Sequence, residues 1–162
     1  MRSEFLSYGL IGGLAIALLV AACTDFRRRQ IDNWLNAAIA IGAPLFWWAS
    51  GLSLWPGVGA QLGVSLVTFA ATAALFALRA MGGGDVKLLT VLALWIRPGD
   101  FLFLVVVMAL LGGLLTIAFG AWHVARRQQG RVAIPYGIAI SVAGLLTLFD
   151  KSLPLLGGVS AG

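Results

Sequence analysis

Charged residues are scarce in this sequence, and their scarcity indicates the class of protein. Only 10% of the 162 residues are charged and 60% are hydrophobic, and the mean hydropathy is +0.99. A soluble domain carries about 25% charged residues, so this chain has too few to cover its surface in water. We therefore expect lipid to be its solvent and a single integral-membrane domain to occupy residues 1–162.

Cysteine and histidine are nearly absent as well. The single cysteine, Cys23, excludes an intrachain disulfide and a multi-cysteine zinc site. The single histidine, His123, is expected at a membrane edge, because a metal site needs several ligands. The basic residues form no face interleaved with aromatic side chains, which argues against nucleic-acid binding. The sequence thus predicts no metal, no cofactor and no nucleic-acid partner.

Long apolar segments are what the sequence has instead. They do not alternate with period two, so helices are favoured over a barrel, and the prediction is an all-α membrane bundle of six transmembrane helices. The segments cover residues 5–22, 34–55, 58–78, 86–96, 101–122 and 132–149. The fourth segment is too short, because about eleven residues reach only about 17 Å of a roughly 30 Å bilayer core. Its helix is therefore expected to begin near Gly83 or Gly84.

The distribution of lysine and arginine predicts the orientation of the bundle. With six spans, one side of the membrane receives eight basic residues and the other side three (Arg2, Arg97 and Lys151). The side with the excess is expected to be cytoplasmic, which places both termini in the periplasm. Asp25 and Asp85 then lie on the same, cytoplasmic side. The basic residues of that side are Arg27, Arg28, Arg29, Arg79, Lys87, Arg126, Arg127 and Arg131.

An alternative for the N-terminus is a cleaved signal peptide. Residues 20–23, Val-Ala-Ala-Cys, are similar to a lipoprotein cleavage box that follows an apolar stretch. However, the segment before that stretch has one arginine offset by Glu4, whereas three arginines follow the stretch. This order of charges favours an N-terminus outside the cytoplasm over a secretory signal.

Asp25 and Asp85 are the candidate chemical groups. An ionisable residue at membrane depth is costly and is a functional-site hypothesis by default. Two carboxyl groups held close together cannot both ionise, so one keeps its proton and they can divide acid and base work. The simpler interpretation of each residue alone is structural. Asp25 can pair with a neighbouring arginine, and Asp85 can begin the fourth helix.

Three motifs resemble those of a known family. Residues 82–85, Gly-Gly-Gly-Asp, match the GxGD signature of intramembrane-type aspartyl proteases, and residues 81–89 resemble the second active-site motif of type IV prepilin peptidases. Residues 25–34, Asp-Phe-Arg-Arg-Arg-Gln-Ile-Asp-Asn-Trp, resemble the first motif. Residues 134–140, Ile-Pro-Tyr-Gly-Ile-Ala-Ile, resemble a third segment. Asp32 departs from the pattern, since the family usually has proline there.

The resemblance implies an endopeptidase of the bacterial inner membrane. It removes the basic leader of prepilins or pseudopilins after a glycine, at the cytoplasmic membrane edge, by means of an aspartate pair and an activated water. Asp25 and Asp85 are implied as the catalytic pair. The expected partners are this substrate, membrane lipid and, indirectly, a pilus or type II-like secretion machinery. The residues expected to shape the site are Gly82, Gly83, Gly84, Lys87, Asn33, Pro135, Tyr136 and Gly137.

The short length and the missing cysteine pair resemble the short form of the family, such as the peptidases of tight-adherence (Flp-type) pili. That form lacks the methyltransferase region, so no N-methyltransferase activity is expected. Two other classes remain open on the residues alone. Paired aspartates also serve proton-coupled transporters or channels, and a non-catalytic assembly subunit needs them only as helix caps.

Overall fold

Six α-helices form the chain in the computed structural model, which describes residues 2–126 and 135–157. A π-helical turn, Leu54–Val58, leads into the third helix, and the described residues contain no strand. The all-α prediction and the count of six helices are therefore confirmed. The helices are α1 (Arg2–Arg28), α2 (Asn33–Ala49), α3 (Gly59–Ala77), α4 (Gly83–Leu92), α5 (Pro98–Ala125) and α6 (Tyr136–Gly157).

Within the described residues, three segments are long and apolar enough to cross a membrane, namely Glu4–Arg28, Leu54–Ala77 and Pro98–His123. The apolar stretch Tyr136–Asp150 of α6 is shorter, and α2 and α4 have 17 and 10 residues. At about 1.5 Å per residue, α4 is only about 15 Å long. The short fourth helix and its start at Gly83 agree with the sequence prediction, whereas the orientation of the termini stays a prediction.

The predicted ends of the first and second segments were wrong. The first segment was expected to end at residue 22, but α1 continues to Arg28, so Asp25 lies in the last two turns of a helix and not in a loop. The second segment was expected to reach residue 55, but α2 ends at Ala49. The chain then turns through Gly51, whose φ of 65° suits glycine.

Four helices form a ring around the main core. The helices α1 and α4 each pack against both α2 and α6, while α3 packs on the outer side of α4 and α5 on the outer side of α6. Leu18, Leu88, Leu92 and Ile140 are fully buried inside this ring. Many other large apolar side chains remain exposed, as expected of a surface that faces lipid.

The indole of Trp95 joins the end of α4 to α2. Its Nε1 donates a hydrogen bond to the carbonyl oxygen of Ile39 (2.9 Å), and its ring stacks on Phe46 with a centroid distance of 5.1 Å. Near the opposite end of α4, Nζ of Lys87 donates to Oδ1 of Asn33 (2.8 Å). The helices α2 and α4 therefore run parallel, and both begin on the side of the bundle that holds the two aspartates.

Candidate active site

A cavity of about 370 Å³ contains both aspartates. Asp25 comes from the end of α1 and Asp85 from the start of α4, and the rest of the lining comes from residues 29–33 and 82–84. The two side chains are only 5% and 8% exposed, and the charge of Asp25 acts on Asp85. The structure thus brings together two residues that are sixty positions apart in the sequence. Their catalytic role stays a prediction.

The start of α4 positions Asp85. Gly82 is the N-cap residue and Asp85 is the third residue of the helix, so its carboxyl reaches back to the backbone of Gly82, as a residue at this position of a capping box does. The pKa of Asp85 is nevertheless raised from 3.8 to about 7. Burial away from water is the main cause and the charge of Asp25 adds to it, while the backbone of Gly82 opposes them. Asp85 therefore keeps its proton to a higher pH than an ordinary aspartate.

The start of α6 positions Asp25. The backbone N–H groups of Gly137 and Ile138, in the first turn of α6, are directed at its carboxyl group, and the guanidinium of Arg29 acts on it from the other side. Burial away from water disfavours the charged form of this carboxyl group and is the largest influence on it, whereas the N–H groups of the helix N-terminus and the guanidinium favour that form to a lesser extent. One of its oxygens, Oδ2, is buried and has no hydrogen-bond partner of standard geometry within the described residues.

Three of the expected site-shaping glycines act through close packing. A Cβ on Gly137 would fall 2.8 Å from Cγ of Asp25, and one on Gly82 would fall 3.0 Å from Oδ2 of Asp85. A Cβ on Gly84 would fall 3.2 Å from Cβ and 3.4 Å from the backbone N of Ile31. Gly83 is different, because its Cβ would make an ordinary contact of 3.4 Å with Phe76. The φ of Gly82 is −75°, so space rather than an unusual backbone angle is what requires glycine there.

The remaining expected residues, apart from Asn33, are not among those that line the cavity. Asn33 lines the cavity and is joined to the exposed Lys87 by a hydrogen bond, so these two side chains link the first turns of α2 and α4. Pro135 is buried directly before α6. The ring of Tyr136 packs against Gly112 of α5, and its hydroxyl is hydrogen-bonded to Oγ1 of Thr116 (3.1 Å). Tyr136 therefore fixes the start of α6 against α5.

The loop between α1 and α2 supplies cavity residues that were not among the expected site-shaping residues. Arg29, Gln30 and Ile31 all line the cavity. Arg29 has a φ of 52° at the end of α1, and its guanidinium also lies 5.8 Å from the ring centroid of Phe119. The signal was present in the sequence, because these residues stand within the first motif between Asp25 and Asn33.

Asp32 is a third carboxylate that lines the cavity. It occupies the N-cap position of α2, but its side chain makes no capping hydrogen bond. The loop before it is not helical, so Asp32 does not share a helix face with Asp25. In the described part of the chain no three His, Cys, Asp or Glu side chains meet in a way that suits a metal ion.

Two carboxyl groups in one cavity can support acid–base chemistry on a peptide bond. A comparison with known protein families bears on this activity. The sequence model of the type IV leader peptidase family matches residues 13–117. The chain belongs to the type IV leader peptidase family. Searches of curated proteins and of solved structures gave no significant match. The family match covers both aspartates and the helices from most of α1 to most of α5, whereas the third motif, residues 134–140, lies outside it.

Membership of the leader peptidase family shows two of the expected properties at a coarse level. The protein is a peptidase, and its apolar helices are those of a membrane protein.

Ile134, the first residue of the third motif, lies outside the described residues, but Gly137 of the same motif contacts Asp25. The structure thus brings a segment beyond the family match into contact with the aspartate pair.

Proposed function

We propose that this leader peptidase is an aspartyl endopeptidase that cleaves the leader of type IV prepilins or pseudopilins after a glycine, at the cytoplasmic edge of the inner membrane. The observation that carries the proposal is the shared cavity of Asp25 and Asp85, in which Asp85 has a pKa of about 7. One protonated and one ionised carboxyl group is the state that hydrolysis by an aspartate pair requires.

In the proposed reaction Asp25 is the general base and Asp85 the general acid. Asp25 takes a proton from water as the water oxygen bonds to the scissile carbonyl carbon, and Asp85 donates its proton to the carbonyl oxygen. The tetrahedral intermediate then expels the amine, which receives the proton held by Asp25, and Asp85 recovers its own proton. Burial disfavours the charged form of both groups, but two backbone N–H groups and the guanidinium of Arg29 favour it at Asp25, whereas the charge of Asp25 further raises the pKa of Asp85. This difference supports the division. The position of Asp85 in the first turn of α4 would by itself favour the reverse, but burial outweighs it.

The substrate proposal rests on the position of the site in the bundle. The cavity lies at the end of α1 and at the start of the short α4, and Arg27 and Arg28 stand in the last turn of α1. A site at this level can act on an extended segment just outside the apolar helix of a prepilin. We propose a multi-pass protein of the bacterial inner membrane with this end in the cytoplasm, of the short form that serves Flp-type pili and does not methylate its product.

The test is mass spectrometry of a prepilin co-expressed with the wild-type chain and with single variants. Asp25→Asn and Asp85→Asn should each leave the full-length precursor, with processing reduced by about 10³-fold or more, since each removes one half of the acid–base pair. Asp100→Asn is the matched control, because Asp100 stands in the first turn of α5 and does not line the cavity. It should process normally.

Cleavage by both aspartate variants would refute the peptidase mechanism. A proton-coupled transporter predicts lost ion flux and intact processing in these variants, and an assembly subunit predicts intact processing with no pili. Fusing topology reporters to the two termini checks the proposed orientation, for which a periplasmic signal at both ends is expected.

A further inference from the structure

Two buried polar side chains lie deeper in the bundle than the aspartates, and both lack partners. Asn36 of α2 is 5% exposed, and neither its Oδ1 nor its Nδ2 has a hydrogen-bond partner in the described residues. Ser141 of α6 is fully buried, and its Oγ also has none. Buried polar groups are nearly always hydrogen-bonded, to protein or to ordered water, so each such group requires an explanation.

The hydroxyl of Ser141 differs from several threonine hydroxyls of the helices, which have a backbone partner in their own helix. Thr72, Thr90, Thr116 and Thr147 each donate to the carbonyl oxygen four residues earlier, at 2.7 to 2.8 Å. Ser141 makes no such bond. Its hydroxyl is therefore available to form a hydrogen bond with a group outside its own helix.

Ser141 lies one helical turn below Asp25 in the contact between α1 and α6. Gly137 lies against the carboxyl of Asp25, and Gly144 lies against Leu18 of α1 and Leu92 of α4. Ser141 stands between these glycines on the same face of α6, about 6 Å deeper than Gly137. Because side chains of α6 tilt toward its N-terminus, the hydroxyl of Ser141 lies nearer to Asp25 than this rise, which suits one bridging water. Oδ2 of Asp25 is the unpartnered atom at the upper end.

Asn36 lies at the same depth as Ser141. Asn33 of α2 is hydrogen-bonded to Lys87 of the parallel α4, so Asn36, nearly one turn after Asn33, is roughly level with Leu89 of α4. Gly144 lies against Leu92, so Ser141, three residues earlier, is level with Leu89 as well. Because α2 and α6 each pack on both α1 and α4, buried side chains of both helices point toward the shared core.

We propose that Asn36 and Ser141 bind buried water one turn beneath the aspartate pair, and that this water hydrogen-bonds Oδ2 of Asp25 and holds its carboxyl group in place. An amide and a hydroxyl both donate and accept, and a buried water needs two to four such partners. Ala21, one turn before Asp25, is fully buried and has a small side chain. Asn36 and Ser141 are positioning residues, so the inference rests on the proposed role of Asp25 in catalysis.

The binding of water is tested without any substrate, by radiolytic hydroxyl labelling of the full-length protein in lipid nanodiscs. Leu89 and Ile140 are 2% and 0% exposed, so they are labelled only if water resides beside them. Labelling is expected in the wild-type protein and is expected to fall at least fivefold in the double variant Asn36→Leu/Ser141→Ala. The control is Thr147→Val, which removes a buried hydroxyl of α6 that already has a backbone partner. It should keep the label.

The positioning role is tested by kinetics on a prepilin substrate. Ser141→Ala should lower kcat about tenfold and leave KM unchanged, because a mobile Asp25 affects the chemical step and not substrate binding. Asn36→Leu should do the same, and Asn36→Ser, which keeps a polar group and room for water, should restore most of the rate. If Asn36→Leu does not fold, the kcat of Ser141→Ala alone tests the positioning role.

Unlabelled Leu89 and Ile140 in the wild-type protein, or equal labelling in the double variant, would overturn the water site. An unchanged kcat in Ser141→Ala would overturn the positioning role. These failures differ from a failure of the proposed function, which appears as continued cleavage by Asp25→Asn and Asp85→Asn while the labelling pattern is retained.

Discussion

Gly137 lies directly against the carboxyl group of Asp25. A Cβ at position 137 would be 2.8 Å from both Cγ and Oδ2 of Asp25 and 3.0 Å from its Cβ. The obstructing atoms belong to a short side chain near the end of α1, so the side chain has little freedom to withdraw. The start of α6 therefore fixes where this carboxyl group stands, and it does so through backbone contact.

Gly137→Ala should therefore impair catalysis more than folding. The added methyl group must push Asp25 or the start of α6 aside, and a displacement of about 1 Å can lower a rate about 100-fold. The overpacking should also lower the free energy of unfolding by about 1–3 kcal/mol. Steady-state cleavage and thermal unfolding in detergent measure both effects. Gly113→Ala is the control, because a Cβ there meets nothing within 4 Å, and a variant of Gly137 as active as this control would contradict the argument.

The three consecutive glycines before Asp85 should differ in their tolerance of alanine. Gly82→Ala would press on the Asp85 carboxyl and Gly84→Ala on the Ile31 backbone, so each should lose at least tenfold in kcat/KM. Gly83→Ala makes only an ordinary contact with Phe76 and should keep most of its activity. The middle glycine is thus the internal control of the series. Equal losses at all three positions would show that flexibility, and not space, is what these glycines supply.

The pairing of Asp25 with Asp85 was predictable from the sequence because two independent signals agreed. The count of apolar segments put both residues on one side of the membrane, and the short fourth segment required a helix that begins close to Asp85. The structure has α4 beginning at Gly83 and both side chains in one cavity. Hydropathy and charge are sufficient to predict the spans and the side of the membrane on which each loop lies, because these features are determined by the lipid environment and not by detailed packing.

Packing and helix ends were not predictable in the same way. Hydropathy placed the end of the first segment at residue 22, because Asp25 and the arginines after it are polar, but α1 continues to Arg28 with Asp25 buried on its inner face. The roles of Gly137 and Ser141 depend on how α6 crosses α1, which no local pattern encodes. Asn36 and Ser141 are nevertheless recognisable in the sequence, since each is a polar residue inside an apolar segment.

Asp32→Pro should fold normally and remain active. The φ of Asp32 is −64°, which is the value that proline imposes, and its side chain makes no capping hydrogen bond. Proline should raise the free energy of unfolding by about 0.4–1 kcal/mol by restricting the unfolded chain. The measurements are prepilin cleavage and thermal unfolding, with Asp32→Ala as the control for loss of the carboxylate alone. A tenfold or greater loss of kcat in both variants would instead give Asp32 a direct part in the reaction.

The rate of cleavage should fall as the pH rises above about 7. Asp85 has its pKa raised to about 7 and is proposed to act as the acid, so it donates a proton only while it is protonated. The two carboxyl groups interact, so the midpoint belongs to the pair. The check is kcat against pH between 5 and 9 at saturating substrate. A rate that rises through pH 7 would reverse the assignment of acid and base.

Asp85→Asn should be inactive and yet more stable than the wild-type protein above neutral pH. The raised pKa means that the folded protein keeps a proton that the unfolded chain releases near pH 3.8, so the free energy of unfolding of the wild type falls as the pH rises from about 4 to about 7. Above that range an ionised carboxylate stays buried at a cost that asparagine does not carry. At pH 8 we expect a melting temperature roughly 5 °C higher for the variant, and a difference close to zero at pH 4, where both chains are neutral at this position. Parallel unfolding curves of the two proteins in the same detergent measure the difference. A gap that does not change with pH would mean that Asp85 is not protonated in the folded protein near neutral pH, and the proposed acid would then have to be sought at Asp25.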